Sequence, residues 1–475
     1  MTRGLHWFRN DLRLHDNLAL TALASRANEW LPIFIVDPEM AGREERAKPR
    51  VRFLFDCVLE LERSLRERGV ALQILEGDPE KLIPEWMART GANLVSWTIA
   101  PTPLGQRRDR RVRDALELIG GESIEVLDHT VFGPDEIRTQ AGGVYSVYTP
   151  YRNAWWTAWR EFPRVSPRNV RLPTEGISAF AMAADAARES ISELEIEAES
   201  AQLPPGGENA AKRRLRTFLE GPAARYHEDR DRPDVDGTSR LSPYLRFGAI
   251  SVRECIVRGE DAISAEPAIE GGVAKWLDEL LWREFYSSIL EENPRVLREN
   301  YRSDYDSLVW NDDPKGFEAW CEGRTGYPIV DAGMRQLRET GWMHNRVRMI
   351  VASFLTKDLL IDWREGERFF FEHLVDGDPA SNNGGWQWAA STGTDPQPYF
   401  RIFNPVAQGR RWDPHGDYVR RWIPELQHMP NAHIHAPWEA QHPPDAYPPP
   451  VVEHEERREI ALERFAEARQ AGAKS

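Results

Sequence analysis

WLPIFIVD, residues Trp30–Asp37, decides the fold class. The run is apolar almost throughout, rich in β-branched residues, and stopped by Pro38. An apolar run of that length reads as a strand buried on both faces, as the strands of parallel sheets are. Working outward, similar short strands are predicted at Gly4–Phe8, Val70–Leu75, Leu94–Ile99 and Ser123–Leu127. Helical patterns fill the intervals, at Asp16–Ala27, Val51–Arg68, Pro79–Arg89 and Arg107–Ile119. Within Val51–Arg68, for example, Phe53, Cys57, Leu61 and Leu65 recur at helical spacing. Alternating strand and helix predict a Rossmann-like parallel α/β sheet over residues 1–130. No GxGxxG follows the first strand, so the usual NAD fingerprint is missing.

Beyond this region the chain changes character. Residues 131–210 are expected to connect two domains, with Pro173–Ala211 rich in Ala, Glu and Ser and ending near Pro204-Pro205-Gly206-Gly207. Residues 211–475 lose the strand alternation. Amphipathic stretches at Gly272–Leu290 and Ala332–Ile361 predict an all-α domain, and a short charged helix is expected at Val452–Arg469. Of the 475 residues, 41% are hydrophobic and 29% charged, which excludes wholesale disorder. Three cysteines, Cys57, Cys255 and Cys321, exclude a disulfide framework and an all-Cys iron–sulfur cluster. No run approaches bilayer length and residues 1–10 lack a signal pattern, so a soluble, cytoplasmic protein with no membrane partner is expected, as a monomer. The 18 tryptophans equal the phenylalanines in number, and they crowd into the C-terminal part.

Four clusters there carry candidate chemistry. GTSRLSPYLRFGAIS (Gly237–Ser251) sets Thr238, Ser239, Arg240 and Ser242 beside Pro243, a turn able to hold an anion; a capped helix start with a surface Arg is the plainer alternative. KWLDELLWREFY (Lys275–Tyr286) spaces Trp276, Glu279 and Trp282 three apart, putting a carboxylate in an aromatic stripe, where burial is costly unless it is paired or used. In TGWMHNRVRMIVASFLTKDLLIDW (Thr340–Trp363), Asn345, Arg348 and Met349 share a face and Arg346 projects sideways. DGDPASNNGGWQWAASTGTDPQPYFRIFNP (Asp376–Pro405) mixes small, polar and aromatic residues more densely than a core helix does. Its paired Asp residues lack the 12-residue calcium-loop pattern, so no metal site is expected.

These segments, with WFRNDLRLHDN at Trp7–Asn17, resemble the DNA photolyase/cryptochrome family from residue 7 to about residue 425, most of all its cyclobutane-dimer photolyases. The resemblance implies FAD in the helical domain, held by Tyr226, Thr238, Ser239, Arg240, Leu241 and Ser242. It places Trp276 and Glu279 beside the adenine and the lesion, Arg348 paired with Asp376 near the flavin, Asp378 close by, and Asn382 facing N5. It implies that Trp282 and Trp388 wall the cavity for a flipped pyrimidine dimer, with Glu279 and Asn345 bonding its bases and Met349 as an apolar contact. Glu279 would need to be protonated to donate. Trp386, Trp363 and Trp310 match the family's electron-carrying indoles. The implied activity is light-driven repair of cyclobutane pyrimidine dimers by a deoxyribodipyrimidine photo-lyase; the alternative is a cryptochrome-like blue-light sensor without repair.

The net charge of −15 does not exclude DNA, because a local basic field decides binding. Arg346 and Arg401 are the expected DNA contacts, with Arg410, Arg411, Arg420 and Arg421 as further candidates for a basic rim. For the N-terminal domain the resemblance implies an antenna chromophore. Asp37 and Lys48–Arg50 look like the 8-hydroxy-5-deazaflavin type, while Thr102–Arg110 lacks the acidic residue usual before Pro103; 5,10-methenyltetrahydrofolate, FMN or none remain alternatives.

Overall fold

The computed structural model describes residues 2–37, 48–161, 175–176 and 202–472. Five parallel strands, β1 (Arg3–Phe8), β2 (Glu29–Val36), β3 (Gln73–Glu76), β4 (Leu94–Thr98) and β5 (Glu122–Val126), lie in the order β3-β2-β1-β4-β5. The backbone of Glu175–Gly176 adds a short parallel bridge at the start of β2. Helices α1 (Leu18–Ala24), α2 (Lys48–Arg66), α3 (Pro79–Thr90) and α4 (Pro103–Leu118) cross between strands. One face of the sheet, with Leu5, Trp7, Ile33, Val95 and Trp97, packs on Ile83, Trp86, Val112 and Leu116 of α3 and α4. On the other, Phe8, Trp30 and Phe34 join Leu20, Phe53, Cys57 and Leu61 of α1 and α2 in a core that continues into the helical part.

Caps set the boundaries. Asn17 accepts from the Leu20 amide at 2.9 Å and so starts α1. Helix α4 begins four residues before the expected Arg107, because Thr102 caps it and Pro103 suits a first turn. Between the sheet and the helices lies a buried charge cluster: Arg13 bonds Asp128 at 2.5 Å, while Arg253 bonds Asp16 at 3.0 Å and also Asp128.

Within the expected connector, Tyr148–Glu161 forms α5, with Tyr151, Trp155 and Trp159 buried in the shared core. Residues 162–174 and 177–201 of that connector lie outside the described residues. The helical part then runs through α6 (Glu208–Leu219), α7 (Ser242–Arg246), α8 (Glu270–Glu292), α9 (Pro328–Thr340), α10 (Asn345–Ser353), α11 (Trp363–His373), α12 (Pro379–Ala390) and α13 (His454–Gly472), among other elements that include a helix over Val252–Ala265. The long stretch expected over Ala332–Ile361 is broken. Gly341, left-handed at φ 66°, ends α9, and His344 caps α10 by accepting from the Arg346 amide at 3.2 Å. A π-turn over Phe354–Asp358 follows. This break starts α10 afresh, with Asn345, Arg348 and Met349 on its cavity side. The charged helix α13 buries Ala461, Phe465 and Ala468 against Tyr305, Leu308 and Leu360.

Candidate functional site

Helices α7, α8, α10 and α12 and the loop Asp376–Asp378 surround a cavity of about 470 Å³. Helix α8 contributes Trp276, Glu279, Trp282, Arg283 and Tyr286, at spacings that keep one face toward the space. Helix α12 comes close to α8 because Gly384 has no side chain: a Cβ there would overlap the ring of Tyr286. That approach sets Asn382, Trp386 and Trp388 opposite the α8 stripe.

Ion pairs and hydrogen bonds fix the polar wall. Arg348 donates to both oxygens of Asp376, at 2.9 and 3.2 Å, and the Ser242 hydroxyl donates to the same carboxylate at 2.6 Å. Burial works to raise the Asp378 carboxyl, but Arg283, Arg246 and the bonds from Ser381 outweigh it and hold the group below its ordinary value. Asn382 donates its amide to Glu367 Oε1 at 2.8 Å and to the Glu367 carbonyl at 2.9 Å, so its own oxygen is the atom left to face the cavity. Burial pushes Glu367 up to about 6 against that hydrogen bond. Glu279 pairs with Arg230; burial raises its carboxyl more than Arg230 lowers it, the direction a proton donor requires. Trp282 is held flat by Tyr148, stacked at 3.7 Å and 9°.

Five arginines (Arg230, Arg240, Arg246, Arg283, Arg348) and three carboxylates (Glu279, Asp376, Asp378) line the cavity, an excess of positive charge in a chain of net −15. The hydroxyls of Thr238, Ser239 and Ser242 with Arg240 form a donor-rich end, while Trp276, Trp282, Trp386 and Trp388 supply aromatic walls. The indole N–H of Trp386 is buried with no acceptor among the described residues. A dinucleotide with two phosphates and a flat ring fits this donor set.

All twelve residues expected to hold the cofactor line this one cavity: Tyr226, Thr238, Ser239, Arg240, Leu241, Ser242, Trp276, Glu279, Arg348, Asp376, Asp378 and Asn382. So do Trp282, Asn345, Met349 and Trp388. Trp386 touches the cavity; Trp363 is buried behind it and half-buried Trp310 packs on the same cluster. Arg346 lies outside, paired with Asp231 at 2.9 Å and lying 4.7 Å over Trp412, and Arg401 is exposed. Arg410 pairs with Glu439 and Arg411 stacks on Trp412. Arg230, Glu367 and Tyr148 were invisible to sequence reasoning, because each reaches its partner across 15 to more than 100 residues.

The carboxyl ends of β1, β2 and β4 form a second polar cluster. Arg9 pairs with buried Asp109 and lies 4.4 Å over Trp7, and Arg108 lies 5.1 Å over the same ring, 3.5 Å from Asp37. Arg50 stands on α2. Fully buried, it donates to the Phe371 carbonyl of α11 and lies 4.1 Å over the Phe371 ring, tying α2 to the helical part.

A parallel sheet domain packed on helices around an aromatic-walled, arginine-lined cavity defines a flavoprotein of the photolyase and cryptochrome class. A family profile described as "DNA photolyase" matches residues 4–168, and one described as "FAD binding domain of DNA photolyase" matches residues 276–467. Proteins named deoxyribodipyrimidine photo-lyase from Halobacterium salinarum and Escherichia coli are 41% and 40% identical, covering 98% and 99% of this chain and 99% of their own lengths. A bacterial class III photolyase from Agrobacterium tumefaciens superposes with a TM-score of 0.84 at 35% identity, over 99% of this chain and 98% of its own. An archaeal photolyase from Sulfolobus tokodaii with two FAD molecules gives 0.82 at 32%, over 98% and 100%. A Synechocystis cryptochrome gives 0.87 at 28%, over 98% and 99%. This chain belongs to the DNA photolyase family.

Proposed function

We propose that this chain is a light-driven deoxyribodipyrimidine photo-lyase that repairs cyclobutane pyrimidine dimers in DNA, with FAD in the helical cavity. The observation that carries this reading is the convergence of Glu279, Trp282, Asn345, Met349 and Trp388 on the same space as the twelve cofactor residues. Reduced FAD, when bound, supplies the light-driven electron that opens the cyclobutane ring. Thr238, Ser239, Arg240 and Ser242 hold its phosphates and sugar with Tyr226 and Leu241, Trp276 lies against the adenine, and Asp378 stays ionised near the ring. The Arg348–Asp376 pair sets the charge beside the flavin, and the Asn382 oxygen faces N5. Trp282 and Trp388 sandwich the flipped bases, Met349 fills the apolar side, and Asn345 with the Glu279–Arg230 pair meets the base edges.

Arg346 and Arg401 contact phosphates beside the lesion. Trp386, Trp363 and Trp310 form an electron chain to the cavity. Residues 1–130, 131–210 and 211–475 serve as antenna domain, connector and catalytic domain. An antenna chromophore of deazaflavin type occupies the crevice near Asp37. The protein acts as a monomer in the cytoplasm. Among the described residues, no helix is long and apolar enough to cross a membrane.

The test is to illuminate the reduced protein with an oligonucleotide carrying one thymine dimer and to measure restored thymines. Repair in light and none in darkness is expected. Absence of repair in both would favour a sensor, a reading that the likeness to the Synechocystis cryptochrome keeps in view. Glu279→Gln is expected to keep most of the yield and Glu279→Ala to lose it; equal losses would remove hydrogen bonding from its role.

A further inference from the structure

Two of the proposed chain indoles differ in what meets their N–H. Trp386, edge-on to Trp320 at 6.0 Å and to Phe370 at 4.9 Å, has its N–H buried with no acceptor among the described residues. Trp363, fully buried, donates to Asn300 Oδ1 at 2.9 Å, and the Asn300 amide in turn donates to Asp306 Oδ1 at 2.8 Å. Asn300 is itself buried, while Asp306 is exposed. The two indoles sit on packed helices: a Cβ at Gly366, one turn beyond Trp363, would overlap the Trp386 ring.

We propose that Asn300 and Asp306 are positioning residues for the electron chain, drawing positive charge from Trp386 onto Trp363, from where it passes to Trp310, and holding the Trp363 proton in place. The proposal rests on the reading of Trp386, Trp363 and Trp310 as that chain. An indole that loses an electron becomes a strongly acidic N–H donor, so an acceptor already aimed at the N–H stabilises the cation. The Asp306 carboxylate polarises the Asn300 amide further in the same sense. An amide oxygen is too weak a base to keep the proton, so the charge stays mobile as a radical cation. The Arg364 guanidinium, 4.7 Å over the Trp363 ring, opposes this, but it is bound by both oxygens of Asp362 at 3.1 Å. Two carboxylates against one guanidinium leave the balance negative.

The step conserves electrons and moves no proton. One electron passes from Trp386 to the light-excited oxidised flavin, Trp363 refills Trp386, Trp310 refills Trp363, and an external thiolate refills Trp310 and leaves as a thiyl radical. The gain lies in separating the charge from the cavity before it recombines.

The test uses the FAD-loaded protein with Asn300→Leu, Asp306→Asn and Trp363→Phe. In darkness, the indole ¹⁵N–¹H signal of Trp363, identified by its absence in Trp363→Phe, is expected to shift in Asp306→Asn. Under flash excitation the yield of separated tryptophan radical is expected to fall about fivefold in Asn300→Leu, the factor equivalent to one hydrogen bond, and about twofold in Asp306→Asn. Dimer repair by chemically reduced protein is expected to be unchanged in both. An unshifted signal with a wild-type radical yield in the two variants would overturn the proposal. Should Asn300→Leu fail to fold, the surface variant Asp306→Asn decides alone. A wild-type yield in Trp363→Phe would instead overturn the chain reading beneath the proposal.

Discussion

The crevice at the end of the sheet and the cavity among the helices are built from the same materials, arginines over indoles with carboxylates beside them, and use them differently. In the crevice, Asp109 is buried, takes the Arg9 fork and also the Ala100 amide at 3.0 Å, so its charge is consumed inside the protein. In the cavity, Arg348 and Asp376 face open space with a quarter of the arginine exposed, so their charges remain available to a ligand. The same pair of residue types is thus structural where the protein itself takes up both charges, as with Arg9 and Asp109, and functional where a space adjoins it. Arg50 makes the point a third time: buried on α2, its guanidinium donates to carbonyls at the end of α11.

Asp109→Asn gives the largest effect and tests the crevice side. It leaves Arg9 and Arg108 over one ring without their shared counter-charge, a loss of about 3–5 kcal/mol for breaking a buried pair. Urea unfolding measures it, and FAD content of the folded fraction is expected to stay unchanged. A small stability loss with loss of energy transfer from an antenna chromophore would make Asp109 a ligand contact rather than a structural counter-charge. Asp376→Asn tests the other side. Its stability cost is expected near 1 kcal/mol, because water reaches Arg348, whereas FAD binding is expected to weaken by about 2 kcal/mol, the scale of a charged hydrogen bond. Equilibrium dialysis reads the second quantity and urea unfolding the first.

That contrast also explains what was legible beforehand. Strand and helix order followed from Trp30–Asp37 and its neighbours because buried parallel strands are written as plain apolar runs. The cavity was legible because four short segments carry it and the family resemblance assigns their residues one by one. Arg230, Glu367 and Tyr148 were not, since each acts by tertiary contact: an ion pair to Glu279, a hydrogen bond to Asn382, a stack on Trp282. No local pattern marks such a partner. The break at Gly341 was missed for a related reason, because the apolar periodicity of α9 and α10 runs on across the turn that separates them.

Glu367→Gln sharpens the comparison on the cavity side through pH. The folded group titrates near 6 against an ordinary 4.5, so the native state binds the proton more tightly than the unfolded chain does. The contribution of Glu367 to stability is therefore fullest below about pH 4.5 and declines as pH rises through about 6. Gln carries no titration and keeps an oxygen for the Asn382 amide. The variant is expected to be more stable than wild type by about 1–2 kcal/mol above pH 6.5, with the gap closing below pH 4.5. Urea midpoints at several pH values measure it. A gap independent of pH would show that burial of Glu367 is not the cause.

Tyr148→Phe carries the smallest effect and, set beside Tyr148→Ala, bears on how α5 serves the cavity. The Tyr148 hydroxyl donates to the Asp278 carbonyl of α8 at 2.7 Å, and the ring supports Trp282. Phe keeps the ring and loses about 1 kcal/mol of hydrogen bonding; Ala also gives up about 0.5–1.5 kcal/mol of stacking. The expected outcome is that Phe binds a dimer-containing oligonucleotide like wild type, while Ala binds it several-fold more weakly. The salt dependence of binding should be the same in all three, since Tyr148 neutralises no phosphate. A changed salt slope would move Tyr148 from supporting the wall to touching the DNA backbone, and α5 would then belong to the interface itself.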